Sequence, residues 1–202
     1  MKKIFLVAIF IVIGNFSYAR ATEFGPFQGK ILDAETKEPI EGVVVLIEWC
    51  QYRLSSLFEN TIFYDAQETL TDKNGEFYIS GIWIVNPWTR LMVVADVIIY
   101  KSGYGTVDGI DLHGPWKSFL EREWGAPKGT YILKVENGKP VIILEKVTDV
   151  EERRKNIPSE PSVPDGKYHQ LKWKWKLLRL EKNKERKFLG LGELIDSDQF
   201  GR

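Results

Sequence analysis

Histidines, the cysteine and closely spaced acids are the residues that could do chemistry in this chain, and they are few. His113 and His169 are the two histidines, followed by Gly-Pro-Trp and Gln-Leu-Lys. Zinc peptidases need His and Glu close together on one element, so no zinc signature exists. Asp72-Lys-Asn-Gly75 opens like a calcium loop but lacks its span and its closing bidentate Glu, which leaves a tight turn as the reading. No serine sits in a nucleophile-elbow pattern, and activating the single Cys50 would require one of two distant histidines. The remaining route to catalysis is a convergent polar cluster around His113, Glu121 and Arg122. No catalytic residue, metal or cofactor is expected.

Aromatic side chains are plentiful by comparison. The chain has seven tryptophans, among them Trp83, Trp88, Trp116, Trp124, Trp173 and Trp175. Large aromatics fill the core of a small domain, and on a surface they stack on sugars or anchor protein contacts. The six form the candidate binding surface, with core packing as the plainer alternative. Trp173 and Trp175 alternate with lysines in Leu171-Lys-Trp-Lys-Trp-Lys-Leu177, inside a stretch from 167 to 187 with nine Lys or Arg against Glu181 and Glu185. Such an arm can present a solvated basic face while its apolar side packs on the rest of the chain, or it can dock on an anionic membrane surface.

The elements that must position these residues begin after a distinctive N-terminus. Lys2 and Lys3 precede ten uninterrupted apolar residues, Ile4 to Ile13, and Ala19-Arg-Ala21 supplies small residues at alternate positions. This reads as a secretory signal peptide over residues 1–21 with Thr22 as the first mature residue. A bilayer span needs about 20 apolar residues, twice this run. Basic and acidic residues number 28 each, and Lys2, Lys3 and Arg20 fall in the leader, so the remainder holds three more acids than bases. That balance argues against nucleic acid as a partner. An exported chain with one cysteine has no internal disulfide, and Cys50 continues an apolar strand, so it reads as a buried free thiol, with an intermolecular pair as the alternative. Core burial must then carry stability, and 44% hydrophobic and 13% aromatic residues suffice for one compact domain.

Seven strands are expected. Gln28 to Leu32 is the first. Val43 to Trp49 opens with five aliphatics in a row, the pattern of a central strand covered on both faces. Gln67 to Thr71 and Glu76 to Ser80 flank Asp72-Lys-Asn-Gly75 as a hairpin, with Phe77 and Ile79 inward. Leu91 to Tyr100 follows. Thr130 to Glu136 and Val141 to Lys146 are joined through Asn137-Gly138. Gln51 to Ala66 and Thr106 to Lys128 are too long for turns and read as insertions or excursions on the sandwich. Short strands with frequent turns make an antiparallel all-β sandwich over residues 22–147. From 148 to 202 a capping box, Thr148-Asp-Val-Glu151, starts a short helix. Pro158, Pro161 and Pro164 then form a stiff linker, and the basic arm is expected to be helical up to Leu189-Gly190, with a strand as the alternative over 171–177, where apolar and basic residues alternate with period two.

The run from Gly29 to Val45, with Asp33-Ala-Glu-Thr-Lys-Glu-Pro-Ile-Glu-Gly42 at its centre, combines with Thr71-Asp-Lys-Asn-Gly-Glu-Phe77 and Tyr100-Lys-Ser-Gly-Tyr104. Together they resemble the carboxypeptidase regulatory-like domain, a transthyretin-like β-sandwich, over about residues 27–147. The resemblance implies a seven-strand, mostly non-catalytic module of secreted and cell-envelope proteins. The chain departs from that pattern at Ile82 to Trp88, where a Pro-Gly-Tyr turn is expected, and in the long 106–128 stretch. The hydrolases of purine breakdown that share the fold end in Tyr-Arg-Gly-Ser, which this chain lacks. The expected function is therefore an exported binding or structural module, periplasmic or extracellular, contacting an envelope protein or glycan. The alternative is a membrane-surface protein held by the basic Trp/Lys arm.

Overall fold

The computed structural model describes residues 21–55, 58–85, 93–113, 131–136, 139–161, 163 and 168–194. The signal-peptide expectation for 1–21 lies almost wholly outside them. The described residues hold ten strands: β1 (Ala21–Phe24), β2 (Phe27–Asp33), β3 (Val44–Ser55), β4 (Phe58–Leu70), β5 (Glu76–Ile79), β6 (Ile82–Val85), β7 (Val93–Tyr100), β8 (Val107–His113), β9 (Tyr131–Glu136) and β10 (Lys139–Leu144). Helix α1 (Val150–Lys155), helix α2 (Tyr168–Leu171), a 3-10 turn (Lys172–Trp175) and helix α3 (Lys176–Phe188) follow.

Two four-stranded sheets, ordered β5-β2-β10-β9 and β4-β3-β7-β8, make an all-β sandwich, with β1 and β6 as a two-stranded ribbon beside them. Among the described residues the two sheets hold eight strands where about seven are expected, and β10 pairs β2 in parallel, so the sandwich is mixed and not purely antiparallel. Between the sheets lie Phe27 and Ile31 of β2, Val45, Ile47 and Trp49 of β3, Phe77 and Ile79 of β5, Val97 and Ile99 of β7, and Ile142 and Leu144 of β10. Val43 to Ile47 is buried on both sides because β3 is flanked by β4 and β7 and covered on each face, as five consecutive aliphatics require. Glu76 and Tyr78 point outward while Phe77 and Ile79 point in, which fixes the register of β5.

Several local expectations are revised. Asp72-Lys-Asn-Gly75 forms a tight turn, yet β4 and β5 belong to different sheets, so it carries the chain across the sandwich and does not close a hairpin. Asp72 Oδ1 accepts from the backbone N–H groups of Asn74 and Glu76, and Gly75 takes φ +72, where an added Cβ would lie 2.5 Å from the Ile31 carbonyl. Gln51 to Ala66 is an excursion of regular strand: β3 and β4 continue pairing out to Ser55 and Phe58, with a bulge at Trp49/Cys50. The 106–128 stretch begins as the edge strand β8; residues 114–130 lie outside the described part. Residues 137–138 do too, but Glu136 and Lys139 pair across them as a two-residue hairpin demands. The N-cap of α1 is Asp149, not Thr148, its side chain accepting from the Glu152 N–H at 2.8 Å.

Candidate binding surface

The family-like motifs prove to be fastenings. Asp33, buried at the end of β2, accepts from the backbone N–H groups of Glu35 and Thr36 through Oδ1, and from the Tyr104 hydroxyl (3.0 Å) and Lys146 (3.1 Å) through Oδ2. The Thr36 N–H leads this set, which outweighs burial and holds the carboxyl well below the usual range. Thr71 donates to the Ile40 carbonyl at 2.6 Å and accepts from the Val43 N–H at 2.9 Å. These polar residues close turns and sheet ends.

The basic arm is docked on the sandwich. Trp175 and Leu178 cover Val44, Leu46, Ala66, Ile98 and Tyr100 on the outer face of the β4-β3-β7-β8 sheet, with Phe63, Val163, Leu171 and Leu177 packed around them. Trp175 is 0% exposed and meets Phe63 edge-on at 6.0 Å. Glu68 of β4 caps α3 from outside the helix, accepting from the Leu177 and Leu178 N–H groups at 2.6 and 3.0 Å. Burial nevertheless raises its pKa. Lys174 pairs with Asp65, and the buried Lys182 reaches Glu160 at 3.5 Å. Burial lowers the pKa of Lys182, against the pull of Glu160. Glu185, 2% exposed, binds Arg153 through both oxygens at 2.7 and 2.8 Å and also accepts from the Ser102 hydroxyl and the Gly103 N–H. Burial opposes its charge, but these donors leave its pKa lowered. The arm ends as expected at Gly190, φ +67, where Gly190 and Leu191 N–H groups return to Lys187 and Arg186.

Of the expected surface tryptophans, Trp83 and Trp173 are exposed, at 63% and 66%. Trp175 is corrected to core: the 3-10 turn places it and Trp173 on different sides, one into the sheet and one to solvent. Trp88, Trp116 and Trp124 lie outside the described residues, as do Glu121 and Arg122 of the polar cluster around His113. Cys50 is buried, its thiol donating to Glu48 Oε1 at 3.3 Å. Glu48 is pushed up to about 7 by burial, the thiol opposing and the charge of Asp108 adding to the shift. Among the described residues no group of three or more His, Cys, Asp and Glu is placed to hold a metal.

Sequence reasoning missed the other sheet's outer face. There a groove of about 680 Å³ runs over β5, β2 and β10, lined among others by Gln28, Lys30, Glu76, Tyr78, Glu136 and Lys139. Tyr78 is 59% exposed in it. The outward alternation of Glu76 and Tyr78 was the legible signal.

No protein-family model and no curated protein matches the chain. Solved structures similar to it include the pilus adhesin RrgA from Streptococcus pneumoniae, at 14% identity and TM-score 0.39, covering 63% of this chain and 16% of that one. Another is the dioxygenase domain of a dioxygenase carbohydrate-binding protein fusion from the cellulolytic bacterium Streptomyces sp. SirexAA-E, at 14% identity and TM-score 0.29, covering 66% of this chain and 83% of that one.

Proposed function

We propose that the chain is an exported, non-catalytic β-sandwich module of the cell envelope, of the carboxypeptidase regulatory-like, transthyretin-like type, acting by contact with a protein or glycan. On this reading β8 and the β1–β6 ribbon are additions to a seven-strand plan. The observation that carries the reading is the asymmetry of the two outer faces. The arm closes one with Trp175, Leu178 and a set of ion pairs, while the other keeps a groove with an exposed aromatic and several polar heads. The leader-like N-terminus and the fastening role of Asp33, Thr71 and Asp72 support it further. Retention of the chain from Thr22 onward on immobilised envelope fractions tests the reading. Binding that survives Trp173→Ala and is lost on altering Tyr78 is expected.

A second reading has its own observation. Trp173 and Leu180 stand exposed on the docked arm beside the exposed Lys176 and Lys187, a surface suited to anionic lipid. Co-sedimentation with liposomes containing anionic lipid at low salt, abolished by Trp173→Ala, supports that reading, and no binding removes it.

A further inference from the structure

The open face of the β5-β2-β10-β9 sheet resolves into rungs of side chains. Gln28 pairs across with Tyr78, Lys30 with Glu76, and Lys139 with Glu136, so the β5–β2 and β10–β9 boundaries carry facing polar groups, while Val141 stands opposite Lys30 between them. Residues directly opposite in a ladder share a face, and Tyr78 and Glu76 are exposed on this one. The inner neighbours Phe27, Phe77 and Ile79 are buried in the core, which holds the strands beneath the groove in one register.

The chemistry of this face selects among ligands. Bases and acids face each other in the Lys30/Glu76 and Lys139/Glu136 pairs, so neither a polyanion nor a polycation is favoured. A peptide adding as a strand would pair along the outer edge of β5, whereas the groove floor at β2 and β10, which carries Gln28, Lys30 and Lys139, has its backbone paired on both sides. A lipid surface needs a broad apolar patch, and here Tyr78 and Leu70 stand among Gln28, Lys30, Glu76 and Lys139. A neutral saccharide fits each of these features. Its hydroxyls both donate and accept, matching ammonium, amide and carboxylate side by side, and its C–H face stacks on an exposed aromatic ring.

We propose that this face is a neutral saccharide site, with Tyr78 as the stacking platform and Gln28, Lys30, Glu76 and Lys139 as hydrogen-bonding groups. The proposal rests on the binding-module reading above and names its ligand class. Affinity electrophoresis of the mature chain in gels containing hydroxyethylcellulose, glucomannan or dextran tests it, with parallel retention on immobilised envelope fractions. At least one polysaccharide is expected to retard the wild type. Tyr78→Ala weakens that retardation about tenfold, Tyr78→Phe keeps most of it, and Trp173→Ala leaves it unchanged. Because Tyr78 is exposed, matching thermal melts separate lost binding from lost fold. Retardation equal in Tyr78→Ala and wild type overturns the proposal. So does the absence of retardation in every gel: if an envelope protein is still retained in a Tyr78-dependent way, the binding-module reading survives alone, and if nothing is retained both fall.

Discussion

Asp33 and Glu48 are buried carboxylates whose surroundings act in opposite directions. Asp33 has backbone N–H groups, a hydroxyl and an ammonium around it, and its pKa lies below the ordinary value. It stabilises the fold above the unfolded-state pKa, and that contribution is lost as pH falls through the folded one. Glu48 accepts from the Cys50 thiol, but its burial dominates and raises it from 4.5 to about 7. The folded state therefore binds the extra proton in that window, so stability falls as pH rises from 4.5 to about 7 and stays reduced above it. The two slopes place maximum stability on the acid side of neutrality. Thermal melts across pH 3–9 check both: Asp33→Asn is expected to flatten the acid limb. Glu48→Gln weakens the neutral limb, to which the raised Glu68 also contributes, and raises stability above pH 7 by up to roughly 3 kcal/mol. A Glu48→Gln protein that keeps the wild-type slope between pH 5 and 7 sinks the assignment.

At the scale of elements, turns and core strands were readable while partnerships between elements were not. Val43 to Ile47 announced a central strand because both its faces meet apolar neighbours, and Asp72 to Gly75 announced a turn because Asn and Gly tolerate its backbone. Sequence does not say whether the strands beside a turn pair with each other, since that depends on which sheet each joins; β4 and β5 separate. The parallel β2–β10 pairing joins segments more than a hundred residues apart, with no local mark. Gly75→Ala measures how firmly the turn is held: its φ of +72 and a Cβ placed 2.5 Å from the Ile31 carbonyl predict a loss of about 1–3 kcal/mol in chemical denaturation. The arm's amphipathic character was legible, but its burial of Trp175 was not, because Lys-Trp alternation looks the same in a strand and in a 3-10 turn. Trp175→Ala leaves a hole above Val44 and Ile98 and is expected to lower stability by about 3–5 kcal/mol.

For the whole molecule, the sequence suggested a sandwich followed by a proline linker and a basic arm whose apolar side packs on it, and the packing argues for one cooperative body. Pro158 and Pro161 are buried, and the Ser159 N–H donates to Asp108 of β8, so the described linker lies against the sandwich. Arg153 in α1, Ser102 and Gly103 after β7, and Glu185 in α3 meet at one carboxylate, tying three distant segments together. Removing residues 149–202 would strip α1, the linker and α3 from an apolar sheet face bearing Leu46, Ile98 and Tyr100, so the shortened chain is expected to self-associate and not to behave as a free sandwich. In the full chain, tryptophan fluorescence and far-ultraviolet circular dichroism should report one coincident transition in urea. Mild acetylation followed by mass spectrometry adds a site-by-site check. Lys172, Lys174 and Lys182, buried or paired at the interface, should react slowly, while Lys176 and Lys187 on the solvent side react fast. An earlier fluorescence transition, or equal reactivity of all five lysines, would mean that the arm leaves the sheet readily and that the face beneath it is open to other partners.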